Sequence, residues 1–363
     1  MNMVSPEALT PQSFRLVDAS LNRLAEGLRY LEDVSRFLLN DVSLTKRLKL
    51  LRHILVTSNW QFQKQLLESR NATDDVGIGI EIPDVADKKR DLMPSIVANA
   101  RRVQEALRTL EEFAKSTAFS ARLSPKKLEQ ARYDMYTIEK DLIARILRQD
   151  KAKRISGLYV IIDTQALKNR SHIEVTRQII NGGIVVIQLR DKMLDHGQLL
   201  PIAQEMKQLC ADNNVLFIVN DYLDIALAVK ADGLHVGQTD LPVSIIRKLV
   251  PMDMLIGCSV DTVAQAKKAQ ADGADYVAVG AIFPTPSKET EVIGLSILRK
   301  VKRAVSVPVV AIGGITRVNI HQVKAAGADA VAVISAVMGA PSPKKAVIEL
   351  IKSFEVRNEK TDR

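Results

Sequence analysis

Two aspartates carry the most telling chemistry in this chain. Asp221 follows the apolar run 217–219 and Asp240 follows the run 233–236, each just past what reads as a buried strand, with one short helix between. Carboxylates delivered by neighbouring strand ends are natural anchors for a hard divalent cation. Magnesium takes one or two of them and leaves its other positions to water and phosphate oxygens. Positive charge gathers at comparable places. Arg190 and Lys192 stand where the run 184–189 meets its loop, and Lys288 stands in a proline-rich loop that also offers the hydroxyls of Thr285 and Ser287. Gln188 and Arg190 are two apart and share one strand face. A different pattern ends the chain: Gly313 and Gly314 follow 309–312, and Ile334 and Ser335 close 330–334. Glycines there let backbone N–H groups approach a monophosphate, helped by a helix N-terminus. These residues describe two anion sites, a phosphate on backbone dipoles and a diphosphate on a metal and three cations. The reaction class that uses both joins a diphosphate-activated electrophile to a phosphorylated nucleophile. Pyrophosphate is expelled, its developing charge stabilised by the metal and the cations.

Only a fold that gathers strand ends at one rim assembles such a set. Eight short β-branched runs, at 158–162, 184–189, 215–219, 233–236, 255–258, 276–279, 309–312 and 330–334, alternate with helical patterns such as 173–180, 199–210, 263–271, 297–305 and 318–326. Strands buried on both faces and alternating with helices mean a parallel sheet. Eight evenly spaced units predict a closed (β/α)8 barrel with its site groups past the strands' C-terminal ends. An open doubly wound sheet is the alternative. His235, inside the fourth run, reads as a packed, hydrogen-bonded histidine rather than a ligand or an acid–base group. Residues 341–350 are expected as the closing helix and 355–363 as a charged, frayed tail.

The first 150 residues follow another period. Apolar residues recur at three and four, as at Leu21, Leu24, Leu28 and Leu31 and again at Val103, Leu107 and Leu110. That spacing predicts amphipathic helices near 14–39, 43–70, 93–116 and 124–148. Residues 22–33 align without gaps on 101–112. Asn22, Glu26, Arg29 and Asp33 in the first copy, and Arg101, Glu105, Arg108 and Glu112 in the second, fall on one helix face. Two readings stay open. One is a solvated face laced with ion pairs one turn apart. The other is a pair of pseudo-symmetric helices around a polar pocket, with Arg23, Glu26, Arg29, Arg102, Glu105 and Arg108 as candidate residues. No glycine-rich phosphate loop of a known type occurs in this half. The polar, basic stretch 148–154 has the composition of a linker, which places an all-helical domain at 1–150 and the barrel at 151–363.

Composition narrows the partners. Apolar residues at 47% and charged residues at 26% are ordinary for a globular chain. The net charge of +9 is spread out, with 24 basic against 21 acidic residues through residue 150 and 27 against 21 after it, so no basic tail carries it. Aromatics at 4% give nucleic acid no stacking platform, and the excess charge points to anionic metabolites or to plain solubility. No apolar run reaches the roughly 20 residues of a membrane span, and residues 1–13 lack the basic head and apolar body of a signal peptide. Cys210 and Cys258, far apart and without CxxC spacing, read as two buried thiols suited to a reducing cytoplasm. The expected partners are small-molecule substrates, with no nucleic acid or membrane; a homo-oligomer is compatible with the sequence.

Several of these motifs form a recognisable set. Gln188, Arg190 and Lys192; Asn220 and Asp221; His235 with Gly237 through Asp240; Gly257 through Ser259; Phe283 through Lys288; and Ala311 through Ile315 resemble the signature of the thiamin phosphate synthase family, in family order and spacing. The resemblance implies a TIM barrel with Mg²⁺ on Asp221 and Asp240, and with pyrophosphate gripped by Arg190, Lys192 and Lys288. It implies that Gln188, Asn220 and Ser259 face an aminopyrimidine. Thr285, Ser287, Gly314, Ile334 and Ser335 would surround a thiazole phosphate. The implied chemistry is dissociative: pyrophosphate leaves, the pyrimidine stabilises a benzylic-type cation, and the thiazole nitrogen captures it without a protein nucleophile. Ser287 stands where threonine is common in the family and keeps the hydroxyl.

The helical half carries its own resemblance. Asn22, Arg23, Glu26, Gly27, Arg29, Glu32 and Asp33, with Arg52, His53 and Asp75 through Gly77, are similar to the helical domain often fused ahead of that synthase. That domain is identified as a second type of hydroxymethylpyrimidine phosphate kinase. The similarity covers most of 13–147 and implies ATP as co-substrate, with this half making the diphosphate that the barrel consumes. Two competing readings remain. The barrel is alternatively an isomerase or decarboxylase of a sugar-phosphate-like substrate, which needs a proton-transfer residue and no diphosphate clamp. The helical half is alternatively a dimerisation or docking module.

Overall fold

In a computed structural model of the chain, residues 10–55, 59–71, 92–285 and 291–355 are described, Thr117 and Ala118 by backbone alone. Asp75 through Gly77, Ser287, Lys288 and residues 356–363 of the expected tail lie outside the described residues. Contacts divide the chain after Ile146 into two compact units. No helix among the described residues is long and apolar enough to cross a membrane, and Cys210 and Cys258 are unpaired and buried.

The first unit is helical. Thr10 and Ser13 cap one another at the start of α1 (Pro11–Asp33), which continues into a π-helical turn, Val34–Leu38. Then come α2 (Val42–Leu55), α3 (Trp60–Glu68), α4 (Leu92–Lys115), the short α5 (Thr117–Ser120) and α6 (Pro125–Lys153). The apolar stripes read from spacing form the core: Leu24, Leu28 and Leu31 of α1 and Val103, Leu107 and Leu110 of α4 are all buried. A Cβ on Gly27 would lie 2.6 Å from Val103 Cγ2, so the missing side chain lets the two copies of the repeat pack this closely.

Two expectations are corrected. The span 43–70 holds two helices rather than one: α2 ends at Leu55, and Asn59 starts α3 by accepting a hydrogen bond from the Phe62 N–H at 3.1 Å. The stretch 148–154 is no linker either, because α6 runs through it to Lys153. Its basic side chains, which belong to the second unit, have fixed partners within that unit. Arg148 is buried, donating to Asp275 at 2.9 Å and to the Met252 carbonyl at 2.7 Å, and Lys151 pairs with Asp253 at 2.9 Å.

The second unit is the expected barrel. Its strands are β1 (Gly157–Asp163), β2 (Val186–Arg190), β3 (Leu216–Asn220), β4 (Gly233–Val236), β5 (Leu255–Val260), β6 (Tyr276–Val279), β7 (Val309–Ile312) and β8 (Ala330–Val333). Each pairs in parallel with the next, and β8 returns to β1, closing the ring. Alternation along each strand sorts the side chains. Val160, Ile162, Ile187, Leu189, Phe217 and Val219 pack in the core cluster shared with the surrounding helices, while Tyr159, Ile161, Val186, Ile218, Leu255 and Tyr276 form a separate cluster inside the ring. The same alternation, continued toward the C-terminal ends, puts Gln188, Arg190, Asn220, His235 and Ser259 on the inner face. The closing helix is Pro343–Glu355, longer than the expected 341–350.

Candidate active site

The inner face opens into a cavity of about 620 Å³ at the C-terminal ends of the strands. All the expected barrel residues within the described range line it: Gln188, Arg190, Lys192, Asn220, Asp221, Asp240, Ser259, Thr285, Gly314, Ile334 and Ser335.

On one side of the mouth the two aspartates meet. Asp221 is the first residue past β3, held in a left-handed backbone conformation (φ 61°) with its N–H donating to the His235 carbonyl at 2.8 Å. Asp240 closes the turn after β4, accepting from the Gly237 N–H at 2.7 Å. Burial pushes the Asp221 carboxyl up; the hydrogen bond and charge of Asp240 push the same way, and the Lys192 ammonium only partly offsets them. Two neighbouring carboxylates thus share the one lysine ion-paired there. Lys192 ion-pairs with Asp221, and Arg190 with the buried Asp163 at the end of β1. Asp163 also fixes its own loop by accepting from the Gln165 N–H at 2.9 Å.

The cavity floor is a hydrogen-bonded chain across the barrel. Gln188 Nε2 donates to Tyr159 OH at 2.8 Å, and the Tyr159 and Tyr276 hydroxyls are 3.0 Å apart. His235 Nδ1 lies 3.1 Å from Tyr276 OH and its Nε2 2.9 Å from Ser259 Oγ. Burial holds His235 down to about 4, so the ring is neutral near pH 7, with one nitrogen donating and the other accepting. The Tyr159 hydroxyl accepts from the Gln188 amide and bonds on to the Tyr276 hydroxyl, which in turn bonds His235 Nδ1. The other ring nitrogen bonds the Ser259 hydroxyl, which lines the cavity. Gly257 makes room for this chain: a Cβ there would lie 2.1 Å from the Tyr276 ring and 2.5 Å from His235 Nδ1.

Opposite lies a backbone cradle. Gly313 (φ 98°) and Gly314 (φ 65°) follow β7. A Cβ on Gly314 would lie 2.4 Å from the Pro284 carbonyl oxygen, so both its backbone conformation and its surroundings require glycine. Asn319 Nδ2 donates to the Gly314 carbonyl at 2.9 Å and fixes that peptide.

Sequence reasoning missed three contributors. Tyr159 and Tyr276 lie within the apolar runs 158–162 and 276–279, and Asp163 just past the first, and none was singled out. A polar tip on a buried aromatic side chain needs a partner, and the inward register of Tyr159 with Gln188 was the available signal. His235 is indeed packed and hydrogen-bonded, and it also lines the cavity.

In the helical unit, Arg23, Glu26, Arg102 and Glu105 line a cavity of about 470 Å³ between α1 and α4. Arg29 and Arg108, expected with them, do not line it. Arg108 instead pairs with Glu111 at 3.1 Å and Glu112 at 2.9 Å, and Arg29 is exposed.

Fold and cavity together define a (β/α)8 barrel with charged side chains on one side of its mouth and a glycine-lined backbone turn on the other. Residues 158–337 match the thiamine monophosphate synthase family and residues 15–141 the ThiD2 family. The thiamine-phosphate synthase of Prochlorococcus marinus subsp. pastoris is 36% identical over 98% of this chain and 100% of its own length. That of Thermosynechococcus vestitus is 35% identical over 97% and 98%. A solved structure, the thiamine phosphate pyrophosphorylase from Pyrococcus furiosus, is 40% identical and covers 56% of this chain and 98% of its own, with a TM-score of 0.52. The chain belongs to the thiamine-phosphate synthase family and is a transferase of thiamin biosynthesis acting on small molecules. The isomerase or decarboxylase reading of the barrel gives way to it.

Proposed function

We propose that the barrel joins 4-amino-2-methyl-5-hydroxymethylpyrimidine diphosphate to a thiazole phosphate. The bond from the pyrimidine's methylene carbon to the diphosphate oxygen breaks, both electrons leaving with pyrophosphate. The thiazole nitrogen's lone pair then forms the new C–N bond. Arg190 and Lys192 offset the leaving group's charge, and the family pattern adds Lys288. Gln188, Asn220 and the Ser259 hydroxyl orient the aminopyrimidine, while Gly314, Ile334, Ser335 and Thr285, with Ser287 from the family pattern, surround the thiazole phosphate.

Mg²⁺ fits the acid pair. The donors are two adjoining carboxylates, and among the described residues no third Asp, Glu, His or Cys joins them. That leaves the other positions to water and phosphate oxygens. Asp221 and Asp240 would hold the ion, which when bound supplies charge stabilisation to the departing diphosphate. What carries this reading is that the aspartates, Arg190, Lys192 and the Gly313–Gly314 cradle line one cavity. The test is turnover with both substrates: stoichiometric pyrophosphate release that EDTA abolishes is expected, and turnover without pyrophosphate would refute it.

For the helical unit we infer phosphoryl transfer, in which a phosphate oxygen of hydroxymethylpyrimidine phosphate attacks the γ-phosphorus of ATP and ADP leaves. The ThiD2 match over residues 15–141 supports this. Full-length chain carrying Asp221→Asn should form ADP when given ATP, Mg²⁺ and the pyrimidine monophosphate; a pure docking module forms none.

A further inference from the structure

The two copies of the repeat build one site between them. Three pairs of cavity-lining residues, Arg23 with Arg102, Glu26 with Glu105 and Gly27 with Ala106, occupy the same places in the two copies. The cavity therefore has pseudo-two-fold symmetry: two guanidiniums, two carboxylates, and two small residues where α1 and α4 touch. On a helix, an arginine three residues ahead of a glutamate ordinarily pairs with it across one turn, as Arg108 does with Glu111 at 3.1 Å. Arg23 and Glu26 have that spacing, and so do Arg102 and Glu105. Yet among the described residues none of these four side chains makes an ion pair or hydrogen bond. By contrast, Arg47, Arg52, Arg70 and Arg132 of the same unit are each matched to a carboxylate.

We propose that this cavity is the ligand site of the helical unit and takes a phosphomonoester of an aminopyrimidine. Arg23 and Arg102 hold the phosphate from opposite sides, guanidinium being the side chain whose planar fork matches phosphate oxygens two at a time. Glu26 or Glu105 accepts hydrogen bonds from the ring's exocyclic amine, and the flat ring lies against the cavity wall that Gly27 and Ala106 line. The site chosen for the phosphate rests on the reading that this unit acts on the pyrimidine monophosphate.

The experiment uses the full-length chain and titrates hydroxymethylpyrimidine phosphate by calorimetry into the parent protein and into Arg23→Gln, Arg102→Gln and Glu26→Gln. These side chains are exposed, so the variants should keep the parent's melting temperature and its rate of joining supplied pyrimidine diphosphate to thiazole phosphate. Each arginine variant is expected to weaken binding at least tenfold, with comparable losses at the two symmetric positions and partial rescue by Arg23→Lys. If binding is lost in this way but the parent forms no ADP, the site stands and the phosphoryl-transfer reading falls. If the parent forms ADP while the variants bind and react within twofold of it, the site is overturned and the reading stands. A parent that does not bind the monophosphate overturns the site as well.

Discussion

Asp240 shows how a single side chain is committed. One carboxylate oxygen is tied to the Gly237 N–H at 2.7 Å, and the group also meets Asp221. Asn at this position keeps the shape and removes the charge. Asp240→Asn should raise the Mg²⁺ concentration for half-maximal joining and slow the reaction by roughly a hundredfold, the scale of losing one charge-stabilising group. The KM for thiazole phosphate should stay within about twofold, since the Gly313–Gly314 cradle proposed for that phosphate lies across the mouth. Initial rates over a Mg²⁺ series check this, and an unchanged Mg²⁺ requirement would contradict the metal assignment. Gly314 gives the complementary case. Its positive φ and the Pro284 oxygen 2.4 Å from a would-be Cβ mean that Gly314→Ala must shift the cradle. The expected result is a thiazole phosphate KM raised by about tenfold or more with kcat little altered. Equal losses in kcat and kcat/KM would instead place Gly314 in the chemistry.

At the scale of elements, five strands cooperate to set one histidine. His235 of β4 reaches Tyr276 of β6 and Ser259 of β5, and Tyr276 links on to Tyr159 of β1 and Gln188 of β2. This cross-barrel chain was illegible in the sequence because each member sits on a different strand. Only closure of the ring brings residues 159 and 276 to 3.0 Å. The strands and the rim residues were legible, since alternation along an apolar run fixes which side chains face inward and a charge just past its end stands out. Burying His235 has a measurable consequence. In the unfolded chain its pKa is about 6.5, whereas burial lowers it to about 4 in the fold. Between those values the unfolded state binds a proton that the folded state does not. Stability should therefore fall as pH drops from about 6.5 towards 4, by on the order of 3 kcal/mol in full, and level off above 6.5. Urea unfolding of the parent and of His235→Gln over pH 4.5–7.5 tests this. The variant should be less stable at pH 7 and should lose most of the slope between 5.5 and 6.5; an identical slope would assign the dependence to other groups.

At the scale of the whole molecule, the repeat in residues 22–33 and 101–112 and the change of hydrophobic period showed two units before any coordinates did. The linker reading failed at Arg148: basic residues spaced for solvent look the same in sequence as basic residues with partners. Its carboxylate, Asp275, lies on the far side of five strands in the chain and has no local signature. Each unit has its own core cluster and its own charged cavity, so damage to one should leave the other's chemistry untouched. Arg102→Gln and Asp221→Asn probe this as a pair. Given pyrimidine diphosphate and thiazole phosphate, Arg102→Gln should join them at the parent's rate and Asp221→Asn should not. With pyrimidine monophosphate and ATP, the pattern should reverse when ADP is measured. When monophosphate, ATP and thiazole phosphate are supplied together, neither variant alone should make thiamin phosphate. An equimolar mixture of the two should make it, after a lag while diphosphate released by one chain reaches the barrel of another. Loss of ADP formation in Asp221→Asn would mean that one cavity serves both reactions, and a mixture that stays silent while both half-reactions run would mean that the diphosphate never leaves the chain that makes it.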